Sequence, residues 1–164
     1  MYDFDTVVDR RNTGSLKWDV AENELPMWVA DMDFKTAPQI IEAISARVSH
    51  GVFGYSIIPD EWNDAYISWW DRRHGLKIER DSLIFCTGVV PAISSTVRKL
   101  TTPGENVLIM TPVYNIFFNS IFNNGVNVQE SPLGYENGRY FVDYDRLEQD
   151  LSNPQTSLMT VSYT

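Results

Sequence analysis

The chain has 164 residues, enough for one ordinary domain or for part of a larger one. Hydrophobic residues make up 43% and aromatic residues 13% of it, more than a disordered chain carries. A net charge of −9, from 13 basic and 22 acidic residues with no Lys/Arg run, argues against nucleic-acid binding by phosphate neutralisation.

Residues 1–35 show no sustained helical period and carry turn formers at Asn12-Thr13-Gly14-Ser15 and at Pro26. They read as an extended arm with one short strand around Met27–Ala30. A first helix is expected over 37–48, capped by Thr36 and opened by Pro38, with Ile40, Ile41, Ile44 and Val48 forming one apolar face. Ser49 to Tyr55 is a glycine-punctuated connection. A second helix, capped by Asp60, is expected over 60–74, with Trp62, Tyr66, Trp69 and Trp70 at helical spacing and Gly75 as its stop.

The rhythm then changes. Short apolar runs at Leu83–Cys86, Asn106–Met110 and Val126–Glu130 alternate with helices expected near 90–100 and 114–123. Asn137-Gly138 marks a tight turn between Gly134–Asn137 and Arg139–Val142. Asp143 can cap a helix over 144–151, and Ser157–Tyr163 reads as a final strand. Strands alternating with helices of about ten residues imply βαβ crossovers, hence an α/β fold with a mainly parallel sheet.

Few residues suit metal or disulfide chemistry. Cys86 is the sole cysteine, and with His50 and His74 it makes a poor metal set. Cys86 reads as a buried small hydrophobe, the two histidines as loop or helix-end residues, and the tryptophan stripe as core or interface. No segment approaches the ~20 apolar residues of a membrane span, and Met1-Tyr2-Asp3-Phe4-Asp5 lacks the basic start of a signal peptide. A soluble cytoplasmic protein is expected. Asp31 and Asp33 invite a general acid/base reading, but alternate acids in a turn are usually solvated or capping, so neither receives a catalytic role.

Gly88 follows an apolar run and precedes a helix that Pro91 opens. Free backbone N–H groups and the positive end of the helix dipole would meet there, an arrangement suited to an anionic phosphate. A lone glycine at such a turn more often only permits the turn.

Three blocks raise that reading: Leu25-Pro26-Met27-Trp28-Val29-Ala30-Asp31-Met32-Asp33-Phe34, Phe85-Cys86-Thr87-Gly88-Val89-Val90-Pro91-Ala92-Ile93, and Thr111-Pro112-Val113-Tyr114-Asn115. In this order they resemble the N-terminal half of fold-type I pyridoxal-phosphate (PLP) enzymes, in the cystathionine β-lyase-like group of the class I/II aminotransferase superfamily. The resemblance implies an N-terminal arm and helix of the small domain over 1–48. It further implies the first part of the large PLP-binding domain over 49–164.

It also implies roles for particular residues. Gly88, Val89 and Val90 would form the phosphate cup, and Tyr114 would stack on the cofactor ring. Tyr55 would reach across a homodimer interface to the partner's cofactor phosphate, unless it is simply a rim aromatic in a glycine-rich loop. Ala30 would present its backbone to the substrate carboxylate. The implied activity is carbon–sulfur β-elimination from an L-amino acid such as cystathionine or cysteine, giving pyruvate, ammonia and a thiol. Aminotransfer shares every motif, and a non-catalytic phosphate-ligand module is the alternative of another class.

PLP chemistry requires a lysine that holds the cofactor and moves the α-proton. The lysines are Lys17, Lys35, Lys77 and Lys99, none in the Ser/Thr-rich setting the family uses. The expectation is therefore a truncated piece that does not catalyse the reaction by itself and carries no catalytic residue.

Overall fold

The structure is a computed structural model that describes residues 2–161. The chain divides into two units, Met1–Ile57 and Ile58–Thr164.

In the first unit an arm of turns leads to helix α1, Pro38–His50. Among its described residues the arm contains no strand: the expected strand at Met27–Ala30 is instead a bend at Trp28-Val29. A strand exists only by pairing, and no ladder partner faces this segment among the described residues. Thr36 is not the cap of α1. Pro38 forces the residue before it into extended geometry, so Ala37, at φ −54° and ψ 136°, becomes the boundary and leaves Thr36 one residue too far out. The face made by Ile40, Ile41, Ile44 and Val48 is exposed.

The second unit opens with α2, Asp60–His74, which ends at Gly75 in the left-handed region, φ 66°. Pro59, extended, takes the cap position expected of Asp60. The Asp60 carboxylate accepts from Arg80 instead, beside the short turn Arg80–Ser82. Trp62 stacks on Tyr66 at 5.6 Å and meets Phe85 edge-on at 5.4 Å. None of the α2 aromatics is buried, contrary to a core reading.

Leu83–Cys86 is extended but unpaired, so the strand expected before Gly88 is absent among the described residues. Cys86 is exposed, which corrects its reading as a buried hydrophobe. Without a ladder beside it, nothing covers its side chain.

Beyond this segment come α3 (Val89–Leu100), β1 (Asn106–Thr111), α4 (Ile116–Phe122) and β2 (Asn127–Pro132). The hairpin β3 (Gly134–Glu136) and β4 (Arg139–Phe141), α5 (Tyr144–Leu151) and β5 (Thr156–Thr160) follow. Three strands form a parallel sheet in the order β2-β1-β5. Asn106 faces Asn127 on one side of β1, and Val107 faces Leu158 on the other.

Being central, β1 is covered on both faces: Val107, Leu108 and Ile109 are fully buried. Alternation sends Val107 and Ile109 to one face, where they join Val97 of α3, Ile121 of α4 and Val126. Gln129 of β2 is tied to α5, donating to the Asp150 carbonyl at 2.7 Å. Of the apolar α4 side chains, Ile121 is buried, Ile116 and Phe117 are half-buried, and Phe122 is exposed.

Asn137 and Gly138, at φ 51° and 79°, form the expected hairpin turn. Asp143 caps α5 as expected, its carboxylate accepting from the Arg146 N–H at 3.1 Å. Of the final expected strand, Ser157–Thr160 lies in β5 and Val161 does not, while Ser162 and Tyr163 lie outside the described residues.

Candidate functional site

Chain direction brings two of the sequence-predicted groups to one end of the sheet. Helix α3 runs back along β1 before the chain turns into it. Its 12 residues cover about 18 Å, and the six of β1 about 20 Å. The start of α3 therefore returns to the carboxyl end of the sheet. A cavity of about 280 Å³ bears this out, because its walls include Val89, at the first turn of α3, and Thr160, at the end of β5. Tyr114 follows the carboxyl end of β1 directly. Ligands of open α/β sheets collect at this end.

At the start of α3, Gly88 is the cap residue and no side chain caps the helix. Val89 and Val90 hold the first helical N–H groups, and Pro91 has none to offer. Both donors, and the positive end of a 12-residue dipole, face outward from the turn. Basic Arg98 and Lys99 lie in the last turn, where they match the opposite pole.

Gly88 itself has extended backbone, φ 168° and ψ 171°, that any residue adopts. A Cβ added there would meet only Pro91 Cδ at 3.6 Å, an ordinary contact. Nothing inside the protein demands a glycine. The space in front of the turn is open, as a close-lying phosphate requires.

Tyr114 is largely exposed, 62%, and its carbonyl accepts from the Phe117 N–H at 3.1 Å, opening α4. Its ring is thus not part of the core. Exposed at the same sheet end as Gly88, it can offer a flat face to a planar ligand.

Tyr55 and Ala30 belong to the first unit. Tyr55 is fully exposed in the extended segment after α1, and Ala30 is exposed just past the Trp28-Val29 bend. His50 and His74 close α1 and α2, as expected of helix-end residues. No group of three or more His, Cys, Asp or Glu that could hold a metal occurs among the described residues.

Sequence reasoning missed an ion cluster in the arm. Arg10 donates to the Asp31 and Asp33 carboxylates, each at 2.5 Å, and to the Met32 carbonyl at 3.4 Å. Lys17, only 8% exposed, donates to Asp33 at 2.7 Å and to the Asp31 carbonyl at 2.9 Å. The Trp18 indole N–H donates to Asp33 at 2.6 Å. Lys17, then Trp18 and Arg10, hold the Asp33 carboxyl down at about 2. The alternate acids at 31 and 33 were the one visible signal, since a pair so close needs countercharge.

Comparisons with known proteins identify the fold and the family. The crystal structure of cystalysin from Treponema denticola, which contains a pyridoxal 5'-phosphate cofactor, superposes with a TM-score of 0.88 at 36% identity. The match covers 97% of this chain and 42% of that one. The fold is thus that of fold-type I PLP-dependent enzymes. In sequence the chain is 39% identical to cystathionine β-lyase PatB of Bacillus subtilis over 161 residues, 94% of this chain and 42% of that protein. It is 36% identical to the protein MalY of Escherichia coli, over 97% of this chain and 43% of that protein. The family profile of class I and II aminotransferases matches residues 22–162. The chain belongs to that family. It spans about two fifths of the length of the relatives it matches.

Proposed function

We propose that this chain carries the phosphate-binding and ring-stacking part of a PLP-dependent carbon–sulfur β-lyase. The observation that supports it best is the uncapped start of α3 behind a glycine that the protein's own packing does not require. The N–H groups of Val89 and Val90 hold the phosphate, and Gly88 lets it approach the backbone. Tyr114 lies against one face of the ring. When bound, PLP supplies an electron sink for breaking bonds next to an amino-acid α-carbon.

The remaining assignments follow the same reading. Ala30 offers its backbone N–H to the substrate carboxylate. Tyr55 serves the cofactor phosphate of the other subunit in a homodimer. Residues 1–48 belong to a small domain and 49–164 to the large one. The substrate is an L-amino acid with sulfur at its β-carbon, such as cystathionine or cysteine, and the products are a thiol, pyruvate and ammonia. No residue of this chain is assigned catalysis: Lys17 is held by Asp33, and Lys77 pairs with Asp71 at 2.6 Å. None of the described helices is long and apolar enough to cross a membrane, and the proposed location is the cytoplasm. Aminotransfer is the second reading, favoured by the family profile itself.

Titration with pyridoxamine phosphate, followed by its fluorescence, tests the site. Saturable binding that inorganic phosphate competes away is expected. Equal affinity in Gly88→Asp, whose carboxylate would occupy the anion position, would refute the cup.

A further inference from the structure

The chain contains two Asn-Gly steps, Asn124-Gly125 and Asn137-Gly138, both in the second unit. In such a step the glycine's backbone nitrogen, with no side chain beside it, can attack the asparagine side-chain amide and close a five-membered ring. The two steps sit in opposite surroundings.

Asn124 is fastened at both ends of its amide. Its Nδ2 donates to the Ser120 carbonyl at 2.6 Å, and its Oδ1 accepts from the Arg98 Nε–H at 3.0 Å. The Gly125 N–H is committed as well, donating to the Phe122 carbonyl at 3.0 Å. Ring closure at this half-buried asparagine requires all three bonds to give way together.

Asn137 is exposed at the tip of the β3–β4 hairpin, and no hydrogen bond among the described residues holds its side chain. The ladder ends at the pair Glu136 and Arg139, so the Gly138 N–H lies beyond it. Ring closure needs Asn137 to leave its turn geometry, φ 51°. That step is easy here, because β3 and β4 form a two-stranded sheet by themselves, three pairs long. Its clasp, Tyr135 against Tyr140 at 4.8 Å, is exposed. A two-stranded hairpin without further support is marginal in water, and its tip opens with little loss of free energy.

We propose that Asn137 is a self-modification site, converted to aspartate and isoaspartate by its own backbone, while Asn124 is protected. The Gly138 nitrogen loses its proton to hydroxide and bonds to Asn137 Cγ, and the side-chain nitrogen leaves as ammonia. Water then opens the imide. Breaking the new bond leaves aspartate; breaking the original peptide bond leaves isoaspartate, with the chain routed through the side chain. One water is consumed, one ammonia is released, and no electrons are exchanged. The isoaspartate backbone is longer by one methylene, which a two-residue turn does not accommodate.

The test follows the folded chain over time in a mildly alkaline buffer, with cleavage after glutamate and mass measurement of the peptides. Cleavage at Glu105, Glu130 and Glu136 puts Asn124 and Asn137 on different peptides. A gain of one dalton is expected at Asn137 at least about tenfold faster than at Asn124, the worth of two ordinary side-chain hydrogen bonds. In denaturant, where only local sequence acts, the two rates should agree within about threefold. Arg98→Ala, which frees one end of the Asn124 amide, should narrow the folded-state gap by about fivefold. Equal rates in the folded chain, or conversion of Asn137 confined to denaturant, would overturn the proposal. An undiminished gap in Arg98→Ala would overturn it too, since the protection of Asn124 is part of it.

Discussion

Lys17 and Asp33 meet at 2.7 Å across sixteen residues of chain that contain no helix or strand. In a segment without a ladder, such a contact replaces the hydrogen bonds that would otherwise hold the chain. Arg10 reaches the same carboxylate from still further back, 23 residues away. The arm is therefore organised by charge rather than by backbone pairing, and this makes it sensitive to acid.

The Asp33 carboxyl is held down to about 2 from an ordinary 3.8, chiefly by Lys17. A depressed carboxyl contributes stability that is fully present above its unfolded value and is lost as pH falls through its folded one. The arm should stay ordered near neutral pH and loosen between about pH 4 and pH 2. Trp18 fluorescence and amide exchange at 28–33 would follow the change. Asp33→Asn should loosen the arm at neutral pH and abolish that acid transition.

Gly88→Ala separates site from scaffold. The backbone there is extended and a Cβ meets only Pro91, so thermal stability should be unchanged or raised by up to about 1 kcal/mol. Affinity for pyridoxamine phosphate should nevertheless fall, by about tenfold, because the added methyl stands between the phosphate and the N–H groups of Val89 and Val90. A stability loss without an affinity loss would reverse the assignment.

Ile109 and Ile121 are both fully buried in the cluster under α3 and α4. Truncating either to alanine should cost about 2–5 kcal/mol through lost transfer energy and an unfilled cavity. Denaturant titration of the chain measures it. Phe122→Ala on the exposed side of α4 should cost far less, within about 1 kcal/mol.

Asp143 accepts from the Arg146 N–H at the start of α5. Asp143→Ala leaves that donor unsatisfied and should lower stability by about 1 kcal/mol. Asp143→Asn, which can still cap, should recover most of the loss, as thermal unfolding would show.

Where local chemistry sufficed, the sequence was readable. Asn137-Gly138 carried its turn because both residues tolerate positive φ, and Asp143 carried its cap because the hydrogen bond spans three residues. The apolar run found β1 to within a residue, since a strand covered on both faces must be apolar along its length. Gly88, Val89, Val90 and Tyr114 were singled out through two of the three motif blocks, and chain direction then placed them at one end of the sheet. Leu83–Cys86 was misjudged on the same logic: it is apolar and β-prone, but the pairing that makes a strand lies outside the segment itself.

By itself, then, the sequence determined the α/β alternation, the turns and caps, and the family, because each is written in residues a few positions apart. Tertiary structure alone decided which groups meet at a distance. It turned α3 back so that Val89 lines a cavity with Thr160, left Cys86 exposed, and drew Arg10, Lys17 and Trp18 onto Asp31 and Asp33. The reason is physical: a carboxylate attracts any cation that can reach it, and which cations can do so is set by the path of the folded chain.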